Sequence, residues 1–238
     1  MNSKRLPGKN TRKLRGVPLI CWTLETALRA GIFDDVLVSS DDPEAVTLAK
    51  EWGASAPWLR PIQLASDTST TASVLQHALA NHEAQSGAFD AVVLLQPTSP
   101  FRTIRTIIGA VDTFLRQPAY DRRPVVSVMP IVHGHPAWSF YPDGDGMAPM
   151  LGWEALRTRS QDLCPAMTLN GLIYVFSAQQ VRNGGPLIVE GTIPYLVDDA
   201  EESFEIDTPF QWRIAEMISE KRQLPRPMAS LRERVSKA

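Results

Sequence analysis

The sequence predicts an α/β fold, a doubly wound and mostly parallel sheet with a small inserted subdomain. Three observations carry this. Short apolar runs recur at 35–40, 91–95 and 125–131, each bounded by turn residues. Segments with helical apolar spacing separate them. Glycine and proline punctuate the boundaries where helices stop and start.

The elements follow in order. Pro18 to about Ala30 is expected as a helix, with Gly31 at its end and Ile20, Leu24, Ala27 and Leu28 on the buried face. Asp35–Ser40 is expected as a buried strand. Asp42 then suits the N-cap and Pro43 the first helical position of a helix ending at Trp52, before Gly53. The polar stretch Ser66–Thr71 leads into a helix burying Val74, Leu75, Ala78 and Leu79. Ala91–Leu95 reads as a second buried strand and exits into Gln96-Pro97-Thr98-Ser99-Pro100. Residues 103–116 form an amphipathic helix with Ile104, Ile107, Ile108, Val111 and Leu115 inward, and Val125–Ile131 a third strand. Residues 132–169 lose periodicity and are rich in Pro, Gly, Trp and Met, as an insertion would be. Leu172–Phe176 returns to strand character, 187–197 is extended, and a closing helix follows Asp207-Thr208-Pro209 to about Arg222. One domain over 1–222, interrupted by the insertion at about 132–169 and followed by a tail at 223–238, accounts for the chain.

A length of 238 residues and a hydrophobic fraction of 44% suffice for a substantial core. A net charge of -2 argues against a nucleic-acid or membrane-surface protein, and no apolar run approaches the roughly 18 residues of a membrane span. With no apolar leader after the basic start, a cytoplasmic location is expected. Cys21 and Cys164 have neither metal spacing nor a disulfide pattern.

Ligands of doubly wound sheets sit beyond the carboxyl ends of the strands, where Ser39–Asp42 and Gln96–Pro100 lie. Lys4, Arg5 and Lys9 cluster on the Pro7-Gly8 turn, and no acid precedes Glu25. Such a turn suits an anion, although a solvated basic terminus has the same composition. Glu205 and Asp207 are two apart, so on extended backbone their carboxylates share a face. Two carboxylates plus phosphates can hold Mg²⁺, or Asp207 can simply cap the closing helix. Neither a dinucleotide fingerprint nor a Walker loop is present. Asp143-Gly144-Asp145-Gly146 fits a hairpin turn better than a calcium loop, because Met147 and Ala148 stand where a ligand and a glycine are required.

Several segments match one family in order: Ser3–Asn10, Leu59-Arg60-Pro61 with Leu64–Asp67, Leu94–Pro100, Gln161-Asp162-Leu163, Asn170–Tyr174 and Ile206-Asp207-Thr208. Taken together they resemble the CMP-N-acylneuraminate synthetase (acylneuraminate cytidylyltransferase) family over nearly the whole chain, to about residue 220. The resemblance implies a nucleotide-diphospho-sugar transferase-like fold. It also implies transfer of CMP from CTP to the anomeric hydroxyl of a nonulosonic (sialic-acid-like) sugar acid, with release of pyrophosphate and use of Mg²⁺. A catalytically defective nucleotide-binding remnant and a CMP-Kdo-type cytidylyltransferase are the alternatives. Lys9-Asn10, where the Kdo enzymes carry Lys-Pro, favours the nine-carbon acids.

By the same resemblance Ser3, Lys4, Arg5 and Lys9 face the triphosphate and Asn10 binds the nucleotide. Arg60, Asp67 and Thr71 close the cytidine pocket. Gln96, Asn170 and Tyr174 meet the sugar acid, Arg159 its carboxylate. Lys9 and Asp207 are the catalytic pair, and Asp207 and Glu205 hold the metal. A homodimer in which the insertion completes the neighbour's sugar pocket is implied, with no nucleic-acid or membrane partner. Glu205 replaces the family's first aspartate, and Thr168 stands where many relatives carry arginine. Relatives also begin with a central strand running into Ala-Arg-x-x-Ser-Lys, and Met1 stands where that strand would end. The expectation is a start further upstream.

Overall fold

The computed structural model of the protein describes residues 6–66 and 68–228. A short hairpin, β1 (Lys13–Leu14) and β2 (Val17–Pro18), leads into helix α1 (Leu19–Ala30), which stops at Gly31. Helix α2 (Pro43–Trp52) has the bounds expected from its ends, since the Asp42 carboxylate accepts the Glu44 amide and Gly53 closes the last turn. There follow α3 (Thr71–Ser86), β3 (Ala91–Leu94), α4 (Ile104–Leu115) and β4 (Val125–Pro130). Residues 132–166, most of the stretch expected as an insertion, carry the hairpin β5 (Phe140–Asp143) and β6 (Gly146–Pro149). The chain closes with β7 (Met167–Ser177), α5 (Ala178–Asn183), β8 (Ile193–Leu196) and α6 (Pro209–Ser219).

The main sheet has the order β3-β7-β4-β8. β7 is antiparallel to both β3 and β4, and β8 is parallel to β4. Three of the four strands therefore run the same way, and β7 alone is reversed. It lies at the centre and serves both layers, because successive side chains point to opposite faces. Ile173 and Val175 pack with Ile107, Ala110 and Phe114 of α4. Tyr174 and Phe176 pack with Leu75 and Leu79 of α3 and Val181 of α5. Each such buried aliphatic or aromatic side chain stabilises the fold by about 1.5–3 kcal/mol. Helices on both faces make the sheet doubly wound, as expected. On α4, Gly109 lets β8 approach closely, since a Cβ there would collide with the Tyr195 hydroxyl.

Some expectations change. Residues 35–40 do not form a buried strand. They make a single parallel bridge, Leu37 with Ser55, and Val36 and Val38 are half-buried. An apolar run supplies a face to bury but not a partner to pair with. The segment is fixed instead by Asp35, whose carboxylate lies 2.8 Å from His82 Nε2 and accepts the Ser55 hydroxyl. On α4 the buried set is Thr106, Ile107, Ala110 and Phe114, while Leu115 is exposed. The Asp143–Gly146 segment is a hairpin turn. Among the described residues no cluster of three or more His, Cys, Asp or Glu could hold a metal, and no helix is long and apolar enough to cross a membrane. Cys21 is buried and Cys164 exposed, both as free thiols.

Candidate active site

Two segments far apart in sequence meet. Lys9, buried in the turn that follows Gly8, donates from Nζ to Asp207 Oδ1 at 2.7 Å and to the Ile206 carbonyl at 2.8 Å. The local backbone explains how Lys9 gets there. Thr11 and Arg12 amides donate to the Gly8 carbonyl, and the Asn10 carbonyl accepts Ile20 N at the start of α1. Leu6, Leu14 and Leu19 pack with Ile206 and Trp212, which seats the basic turn against the acidic segment.

The acidic segment is held from two sides. Ile206 N donates to the Thr98 carbonyl at 2.8 Å, and the Thr98 hydroxyl donates to Glu205 Oε1 at 3.1 Å. Asp207 N donates to Gln211 Oε1, and Thr208 caps α6 by accepting the Gln211 amide. Thr208 therefore does the capping, and the Asp207 carboxylate is left to Lys9 and solvent, 44% exposed. Burial raises the Glu205 pKa and nearby Asp207 adds to the rise, while Thr98 and Lys9 oppose it. A carboxylate whose charge is disfavoured by burial and by a neighbouring acid makes a site that a cation would relieve.

Glu205 adjoins the exit loop of β3. A Cβ on Gly171 would lie 3.0 Å from Gln96 Oε1 and 3.1 Å from Glu205 Oε1. Gly171 itself has φ +68°, so Gln96, Gly171 and Glu205 form one tight contact set. Beside it opens a cavity of about 560 Å³, lined by Gln96, Tyr174, Phe176, Leu187 and Ile188, with Thr71 and Gln76 of α3 at its wall. Burial, and then the charge of Glu205, raise the Tyr174 pKa. Its hydroxyl therefore remains a hydrogen-bond donor at neutral pH.

The remaining expected residues fall as follows. Thr71 shares the cavity of Gln96 and Tyr174. Arg60 pairs with Asp41 at 2.7 Å, and its amide donates to the Ser40 carbonyl, on the segment that follows the Leu37 bridge. Its Nε is buried without a hydrogen-bond partner among the described residues. Asn170 is buried, with its amide nitrogen on Ser203 Oγ at 3.1 Å and its oxygen accepting Leu172 N. Both polar ends of that side chain are thus occupied within the protein. Arg159 is exposed between β6 and β7 and is not among the cavity residues. Ser3, Lys4, Arg5 and Asp67 lie outside the described residues. Thr98, Gln211 and Gly171 were not singled out as site residues from the sequence. Thr98 and Gly171 each lie within one matched segment, and Gln211 lies in none.

A family profile described as Cytidylyltransferase matches residues 1–141. The chain belongs to the cytidylyltransferase family. Among its relatives, the cytidylyltransferase is 39% identical over 223 residues to the CMP-N,N'-diacetyllegionaminic acid synthase of Legionella pneumophila, covering 93% of each chain. It is 32% identical over 173 residues to a pseudaminic acid cytidylyltransferase of Campylobacter jejuni, 72% of each chain. To the N-acylneuraminate cytidylyltransferase of Escherichia coli it is 28% identical, over 92% of this chain and 50% of that one. Its fold matches a CMP:2-keto-3-deoxy-manno-octonic acid synthetase solved with CTP, at TM-score 0.67 and 17% identity, covering 93% of this chain and 95% of the other.

Proposed function

We propose that this cytidylyltransferase transfers CMP from CTP to the anomeric hydroxyl of a nonulosonic acid and releases pyrophosphate. The hydroxyl oxygen attacks the α-phosphorus in line, the bond to the bridging oxygen of the β-phosphate breaks, and the hydroxyl proton is lost. Chemistry of this kind depends on positioning and on neutralising phosphate charge. Lys9 offers a buried cation for the phosphates. Asp207 holds Lys9 Nζ in place and, with Glu205, offers carboxylates to Mg²⁺. The donor set fits that ion, which takes one or two carboxylates and completes its shell with phosphates and water. When bound, Mg²⁺ would supply positive charge to the triphosphate. Gln96 and Tyr174 present polar groups to the sugar acid.

The single observation behind this reading is the 2.7 Å contact of Lys9 with Asp207, which unites basic turn and acidic segment. Neither residue lines the cavity, which reaches the acidic segment through Gln96, the neighbour of Glu205 at Gly171. The cavity favours an acylated acid, because Phe176, Leu187 and Ile188 give it apolar walls against which acyl methyl groups can be buried. N,N'-diacetyllegionaminic acid heads the panel of substrates, which includes pseudaminic, N-acetylneuraminic and eight-carbon acids. The test is pyrophosphate release from CTP with each acid, with and without Mg²⁺, in wild type and Asp207→Ala. Turnover confined to nine-carbon acids and abolished in a folded Asp207→Ala supports the proposal. Undiminished turnover in that variant removes the role given to Asp207.

We also propose a homodimer joined through the insertion. That segment exposes Trp153, Met150 and Leu151 at 61%, 55% and 59%, a density of apolar surface suited to a second copy. Light scattering of the pure protein tests it, and a monomer at micromolar concentration would refute it.

A further inference from the structure

Arg102 follows the Gln96–Pro100 loop and is 3% exposed. Its guanidinium reaches three different elements. Nε donates to the Leu172 carbonyl of β7 at 3.0 Å, one Nη to Thr23 Oγ1 of α1 at 2.7 Å, and the other Nη to the Gln96 carbonyl at 2.7 Å. All three acceptors are neutral. Glu202, the acid nearest in effect, spends Oε1 on the amide of Thr103 at 2.8 Å. Burial lowers the Arg102 pKa, and the charge of Glu202 opposes this. A buried cation with no carboxylate bound to it among the described residues is a poor way to stabilise a core, since apolar residues could fill the space at less cost. A planar fork with donors in fixed directions does what an apolar side chain cannot, which is to fix the spacing of backbone segments.

The segments it fixes belong to the candidate site. The Gln96 carbonyl belongs to the residue whose side-chain oxygen faces Gly171, and Leu172 is the residue after Gly171. We infer that Arg102 is a positioning residue that sets the distance between Gln96 and the Gly171 segment, and with it the fit of the sugar acid. The inference rests on the functional reading above. Arg102 does not line the cavity, so it acts through Gln96 and not by contact.

Two variants test it. Arg102→Lys keeps the charge but replaces the fork with a single ammonium on a shorter reach. Thr23→Val keeps the volume but removes one of the three acceptors, on a helix outside the cavity lining. Steady-state kinetics are measured for CTP and sugar acid separately, with calorimetric CTP binding in the absence of the acid. The sugar-acid KM should rise by roughly tenfold or more in Arg102→Lys, because misplacement by about 1 Å can cost ~100-fold in rate. A smaller rise in the same direction is expected for Thr23→Val, with CTP binding unmoved in both. Should Arg102→Lys fail to fold, Thr23→Val decides alone. Equal rises in both KM values, or none in either, overturn the inference while wild-type turnover keeps the functional reading intact. A wild-type chain that turns over no nonulosonic acid defeats that reading, and the inference with it.

Discussion

Replacing Gly171 with alanine should damage the site more than the fold. Its φ of +68° places the residue in the left-handed region, where a Cβ costs about 1–2 kcal/mol. That Cβ would also sit 3.0 Å from Gln96 Oε1 and 3.1 Å from Glu205 Oε1, closer than ordinary contact. Both neighbours are ends of flexible side chains, so they swing aside and add little to the global cost. For a domain of this size about 1–2 kcal/mol lowers Tm by roughly 2–8 °C. Turnover should fall much further, by up to ~100-fold, because the yielding groups are the carboxylate proposed to hold Mg²⁺ and the amide proposed to meet the sugar acid. Thermal denaturation followed by circular dichroism reads the first effect, and continuous pyrophosphate release reads the second. A variant with reduced Tm and full activity would show that Gln96 and Glu205 stand apart from the reacting groups. An unchanged Tm would contradict the left-handed backbone at Gly171.

Glu205 makes the pH dependence of stability specific. Its pKa is raised above the ordinary 4.5, first by burial and then by Asp207. The folded chain therefore holds this proton more tightly than the unfolded chain, and stability falls as pH rises from about 4.5 through the folded value. Glu205→Gln should flatten the metal-free Tm–pH curve in that window, and an unaltered slope would place Glu205 elsewhere. Thr208→Ala removes the α6 cap and should cost about 1 kcal/mol in urea denaturation. A loss below a few tenths would show that another group caps the helix beside Asp207.

What was legible in the sequence was local. Asp42, Pro43 and Gly53 define α2 to the residue, because capping is written in neighbouring side chains. The polarity of each strand exit was equally plain. Registers were less so. Leu115 matched the helical period, yet Phe114 is the residue that turns inward against Val125 of β4 and Val175 of β7. The strand expected at 35–40 failed because pairing is a property of two segments, and only one of them was in view. The reversal of β7 follows the long aperiodic stretch between β4 and β7, and periodicity does not encode it. For the site, resemblance supplied the pairing of Lys9 with Asp207 across 198 positions, which no spacing rule could. It did not supply Arg102 or Gln211, whose roles depend on which backbone atoms the fold brings near them.

The proposed reaction requires Lys9 and Asp207 to act as one unit on the triphosphate. A double-mutant cycle of Lys9→Met and Asp207→Asn on kcat/KM for CTP, with nonulosonic acid and Mg²⁺ saturating, measures this directly. Groups in contact couple, so the double variant should be little worse than the poorer single one. Losses that simply multiply would mean that the two residues serve separate sites, and the central claim would be wrong.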